Sequence, residues 1–159
     1  MTRAPGEHSW ESLMQRAIAL ASQAAEFGEI PVGAILVSPD GKIIGEGKNV
    51  VEDLADPTGH AEIVAIRQAG RNCRNHRLEG CVLVCTLEPC AMCAGAIAHA
   101  RLAGVVFGAS DPGQGAIVSR AEYLDGPASL RPIWHIGGVC AAECAALLDD
   151  FFHLKRQSV

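Results

Sequence analysis

The segment CVLVCTL, Cys81 to Leu87, most constrains what this chain can fold into. It is a strand-length run of apolar residues broken only by Thr86, without the polar alternation of a strand with one wet face. Such a strand needs cover on both faces, and helices supply it in layered α/β folds. The flanking sequence agrees. Apolar positions from Ser9 to about Phe27 suggest a helix ending near Gly28, and Thr58 to about Ala69 suggests a second, with Thr58 in a cap-like position. Pro89 opens a third helix reaching about Arg101, and Cys140 to about Lys155 forms a fourth. Between them, Val32–Val37 and Lys42–Glu46 read as a hairpin turned by PDG. Gly104–Gly108 and Ile133–Ile136 read as later strands, and DPGQGA as a loop. An antiparallel hairpin followed by parallel strands on helical crossovers predicts an α/β fold with a mixed sheet, in a single domain covering residues 1–159.

Composition narrows the classes. Of the 159 residues 49% are hydrophobic and 19% charged, which excludes a disordered chain. The longest apolar runs fall short of a membrane span, and the N-terminus MTRAPGEHSWESL lacks the apolar core of a signal peptide. The reading is therefore a cytoplasmic chain. Seven cysteines in such a chain are thiols or metal ligands before they are disulfides. A net charge of −5 disfavours a chain-wide electrostatic grip on nucleic acid.

Two helix starts carry the chemistry. His60 and Glu62 open the second helix. Cys90 and Cys93, spaced i and i+3, open the third and place both sulfurs on one face of its first turn. Backbone N–H groups there favour thiolate, the form that binds metal. A lone C-x-x-C also fits a redox pair, and a lone His-x-Glu means little. Together, two thiolates and an imidazole form a three-ligand zinc set whose fourth position is left for water, the pattern of a catalytic site; a structural zinc shows four protein ligands. Glu62, at i+2 from His60, stands off the ligand face and is placed to move the proton of that water. The chemistry this implies is hydrolytic removal of an amino group from a heterocycle.

With IPVGAILV, GEGKN, DPTGHAEIVAIRQAG, TLEPCAMCAGAIAHAR, GVVFGASDP and ECAALLDDFF, the chain from about Ser9 to Arg156 resembles the cytidine deaminase-like superfamily. Within it, the bacterial tRNA-specific adenosine deaminases are the most similar group. The resemblance implies a three-layer α/β/α sandwich around a five-stranded sheet, usually as a homodimer. It implies one zinc ion per chain on His60, Cys90 and Cys93, Glu62 as proton shuttle, Asn49 as a polar contact to the substrate, and Ala61 offering backbone to the base. The implied reaction converts wobble adenosine in a tRNA anticodon stem-loop to inosine.

Several surfaces depart from that family. The segment before the first strand is SQAAEFGE rather than basic, and the loop after GVVFGA reads SDPGQG. These acidic or neutral stretches keep a second substrate class in view, a free base or nucleoside such as guanine, cytosine or an analogue. Arg67, Arg71, Arg74 and Arg77, with His76, form a basic segment that fits either a helix C-terminus or an RNA backbone. Trp134 and His135, on the last predicted strand, either pack or wall the pocket. Cys81, Cys85, Cys140 and Cys144 read as core thiols, Cys73 as a loop thiol, and His99 as a packing or subunit-contact residue.

Overall fold

A computed structural model describes residues 2–158. The hairpin forms as read, from β1 (Gly33–Val37) and β2 (Ile43–Lys48), which pair antiparallel. β3 (Val82–Leu87) adds antiparallel to β1, and β4 (Gly104–Ala109) and β5 (Trp134–Ile136) follow in parallel. The result is one mixed sheet of five strands in the order β2-β1-β3-β4-β5.

The central strands are buried on both faces because alternate residues serve two cores. Ala34, Leu36, Leu83, Cys85, Val105 and Phe107 face α2 (Ala61–Cys73) and α3 (Ala91–His99). Ile35, Val37, Val82, Val84 and Val106 face α1 (Trp10–Glu26) and α4 (Ala141–Gln157). Helices on both faces complete the three-layer sandwich.

Most element ends shift by one or two residues from the sequence reading, and the larger differences lie in α2 and in the β4–β5 crossover. Helix α2 starts at Ala61 rather than Thr58, because the Thr58 amide and hydroxyl both donate to the Asp56 carboxylate and hold residues 56–59 in a turn. It also runs on to Cys73, stopping where Arg74 enters the left-handed region at φ 50° and Asn75 N–H bonds back to the Gly70 carbonyl. Cys73 therefore sits on the helix rather than in a loop. The β4–β5 crossover contains no helix. It is an irregular segment anchored in the core by Ala116, Ile117, Leu124 and Ile133. Its hydrogen bonds go largely to side chains and turns, so no helical period marks it.

Trp134 packs against Trp10 with ring centroids 5.8 Å apart, and His135 pairs with Asp125 at 2.9 Å. Both serve the edge strand, and neither lines the cleft that holds His60 and Glu62.

One close approach seats the catalytic end of α2. A Cβ on Gly47 would lie 2.2 Å from the Ala61 carbonyl oxygen, so the first turn of the helix rests directly on β2. Gly47→Ala must push that turn away. We expect a loss of about 3 kcal/mol, or roughly 6–12 °C in thermal midpoint for a chain of this size, measurable by calorimetry. An unchanged midpoint would show that the turn has room to move.

Candidate active site

His60 and Cys90 are the N-cap residues of α2 and α3, both with extended backbone, and neither side chain caps its helix. N-cap positions ordinarily hold Ser, Thr, Asp or Asn, whose oxygen satisfies a free N–H. Here the two side chains turn toward each other instead. The N–H of Ala61 finds its acceptor outside the helix, in Asn49 Oδ1 at 3.0 Å. Asn49, just past the end of β2, thus caps α2 and keeps its amide NH₂ for the adjoining cleft.

His60 Nδ1 lies 3.6 Å from Cys90 Sγ and 3.5 Å from Cys93 Sγ, and the three donor atoms lie within 4.8 Å of one another. A tetrahedral zinc with bonds of about 2.3 Å to sulfur and about 2.0–2.1 Å to nitrogen has an N···S edge of about 3.5–3.6 Å. The residues present therefore fit that ion in donor type and spacing. The neighbouring Cys93 side chain, opposed by burial and aided by His60, pulls Cys90 down to about 4, which favours its thiolate form. Its proximity to Cys90, with burial, pushes Cys93 up. The bond to Cys90, set against burial, raises His60.

Glu62, in the first turn of α2, is 4% exposed. Its Oε2 accepts from Cys93 Sγ at 2.8 Å, which puts the carboxylate beside the donor set without joining it. Burial raises its pKa, partly offset by the Cys93 bond. A carboxyl shifted upward in this way holds a proton more readily than an exposed carboxylate does.

These groups lie at one end of a cleft of about 510 Å³, a size that suits a small ligand. Apolar walls come from Val32, Leu87, Leu148 and the half-exposed Ile30 and Phe152; polar ones come from Asn49, Ser110, Asp111 and Gln114. The wall from α4 escapes sequence reasoning, since Leu148 and Phe152 read there as an ordinary amphipathic stripe.

Two buried carboxylates also escaped it. Glu29 accepts from the amides of Glu52 and Asp53, holding the loop between β2 and α2. Glu88 accepts from the amides of Asp111, Ile117, Val118 and Ser119 and from the Ser119 hydroxyl. Burial works against its charge, but these donors prevail and hold Glu88 at about 2. The available signal was a carboxylate set directly after the most apolar strand.

The basic segment lies elsewhere. Arg71, Arg74, His76 and Arg77 sit at or beyond the far end of α2, about 16 Å or more from His60 along the axis, and outside the cleft. Arg67 pairs with Asp56 at 3.8 Å. His99 lines a separate groove between α2 and α3.

The family follows from comparison with known proteins. A model of the cytidine and deoxycytidylate deaminase zinc-binding region matches residues 8–109, and the chain belongs to that family of deaminases. It is 47% identical over 147 residues to the tRNA-specific adenosine deaminase of Haemophilus influenzae, covering 92% of this chain and 85% of that one. With the tRNA-specific adenosine deaminase of Aquifex aeolicus it is 41% identical over 150 residues, covering 94% and 97%. A solved structure from a study of A-to-I editing by tRNA:A34 deaminases at the wobble position of transfer RNA superposes with a TM-score of 0.83. That match is 39% identical and covers 86% of this chain and 99% of the other.

Proposed function

We propose that residues 1–159 form a single zinc-dependent deaminase domain that converts wobble adenosine of a tRNA anticodon stem-loop to inosine in the cytoplasm. The observation that carries this reading is a three-donor imidazole and thiolate cluster with a separate buried carboxylate beside it, at one end of an open cleft. Support for the substrate comes from relatives named as tRNA-specific adenosine deaminases along nearly their whole length. No helix among the described residues is long and apolar enough to cross a membrane.

His60, Cys90 and Cys93 would hold one zinc ion, which when bound lowers the pKa of water toward about 7 and leaves a coordination position open. Glu62 takes the proton of the attacking water and passes it to the adenine ring nitrogen. Oxygen adds at the carbon bearing the amino group. Glu62 then takes the proton of the newly added hydroxyl and delivers it to the amino group; the C=O bond forms as the C–N bond breaks, ammonia departs, and inosine remains with its ring nitrogen protonated. The free NH₂ of Asn49 donates to the substrate. The Ala61 amide is already held by Asn49 Oδ1, so any backbone contact to the base shares that hydrogen or uses the turn beside it.

The test is direct. Zinc-loaded protein, incubated with a stem-loop carrying wobble adenosine, is expected to release ammonia and yield inosine. A panel of free amino-heterocycles is expected to stay unreacted. Turnover of guanine or cytosine without inosine formation on the stem-loop would replace the RNA reading with the small-molecule one.

We further propose a homodimer through the groove between α2 and α3, whose lining combines apolar Ile66 and Ala96 with Arg67, His76 and His99 over the buried Ile63 and Leu78. Light scattering should then give a mass twice the 16.7 kDa of the chain. A monomer at micromolar concentration would refute this.

A further inference from the structure

Glu88 is 2% exposed and, among the described residues, has no cation within ion-pair distance. Desolvating a carboxylate is costly, and an apolar side chain of the same volume would avoid that cost. What distinguishes this carboxylate is what it holds. Oε1 accepts from Asp111 N at 3.1 Å and from the Ser119 hydroxyl; Oε2 accepts from the amides of Ile117, Val118 and Ser119 at 3.2, 2.9 and 2.9 Å. One side chain therefore pins both ends of the segment 111–119.

The tip of that segment forms one wall of the cleft, through Ser110, Asp111, Gly113 and Gln114. Asp111 Oδ1 accepts from the amides of Gly113 and Gln114, so the tip hangs as a tight turn from a residue that Glu88 itself fixes. The fit leaves no slack. A Cβ on Gly115 would lie 2.3 Å from the Glu88 carboxyl carbon. The opposite side of the clamp is the strand-to-helix corner that carries Cys90, because Glu88 precedes it by two residues and Ala116 N–H bonds the Pro89 carbonyl at 2.8 Å. The wall and the donor cluster are thus referenced to the same short, proline-stiffened corner.

We infer that Glu88 is a positioning residue for the deamination: it sets the height and rigidity of the 110–114 wall over the cluster, and so governs how the substrate is seated rather than the reaction of its amino group. Glu88 also borders the cleft, but both of its carboxylate oxygens are taken by donors of the 111–119 segment, so it acts on the substrate through that wall. The inference rests on the deaminase reading above, and it adds a substrate-seating residue that neither the zinc cluster nor Glu62 supplies.

The test is Glu88→Gln, which keeps size and replaces one acceptor oxygen with a donor NH₂ facing N–H groups. In zinc-loaded protein acting on the stem-loop, KM is expected to rise about tenfold while kcat stays within about twofold. Zinc content should remain at one equivalent, and amide hydrogen exchange should accelerate at residues 111–119 but not in β1, β3 or β4. Ser119→Ala removes a single donor and should raise KM by about threefold, which keeps the inference testable if Glu88→Gln does not fold. An unchanged KM with unchanged exchange would overturn it. So would a fall in kcat with zinc loss at constant KM, since Glu88 would then merely support Cys90. If the wild-type protein turns over a free base and not the stem-loop, the substrate reading fails. The KM comparison on that base then decides the role of Glu88 separately.

Discussion

Glu62→Ala is expected to keep about one equivalent of zinc and to lower turnover of the proposed stem-loop substrate by a factor on the order of 10² or more. Both halves of this result follow from geometry. The donor cluster consists of His60, Cys90 and Cys93, and Glu62 stands outside it while reaching Cys93 Sγ at 2.8 Å. Removing the carboxylate therefore takes away no ligand. It does take away a carboxylate beside the cluster that can accept a proton from water and return it, whereas the two sulfurs and the imidazole nitrogen would be committed to a bound metal. Burial raises the Glu62 pKa, so its protonated form is easier to reach than in an exposed carboxylate. Glu62→Gln separates chemistry from packing, since it fills the same space without proton-accepting ability. Wild-type kcat in either variant, with zinc content verified by atomic absorption, would remove Glu62 from the mechanism.

Cys90→Ala has the second large effect, on stability and metal content together. Cys90 ends one helix start and His60 the other, and neither caps its own helix. The N-terminal ends of two helices meet at this site, where their dipoles favour a thiolate, and a metal held there would tie the two helix starts together. Losing a ligand otherwise present at about a thousand times its Kd costs about 4 kcal/mol, roughly 8–16 °C in midpoint for a chain of this size. The variant is expected to lose zinc during dialysis and to melt lower by that interval, and chelation of the wild type should give a similar midpoint. One tightly held equivalent of zinc in Cys90→Ala would contradict the assignment.

Much of this site is written in short-range spacing. The i, i+3 interval from Cys90 to Cys93 puts two sulfurs on one helix face whatever else the chain does, and the run at Cys81–Leu87 requires cover on both sides. Where the reading slipped, a side chain had displaced a backbone rule. Thr58 looks like a helix cap, yet its hydroxyl goes to Asp56, and the cap position passes to His60, a residue with no capping propensity. Asn49 carried no signal as a cap because its partner, Ala61, lies twelve residues on.

The sequence by itself determined the layered α/β class, its helices and strands to within a few residues, and the residue types able to bind metal and carry a proton. Those properties depend on periodicity and neighbours a few positions apart. The tertiary structure alone decided the strand order, the meeting of His60 with two sulfurs thirty and thirty-three residues away, the α4 wall of the cleft, and the span of Glu88 across the 111–119 segment. Each is a contact between distant positions, fixed by which faces pack and which strands pair. No local pattern encodes such a choice, because its free energy is released only when the whole sheet and its covering helices are in place.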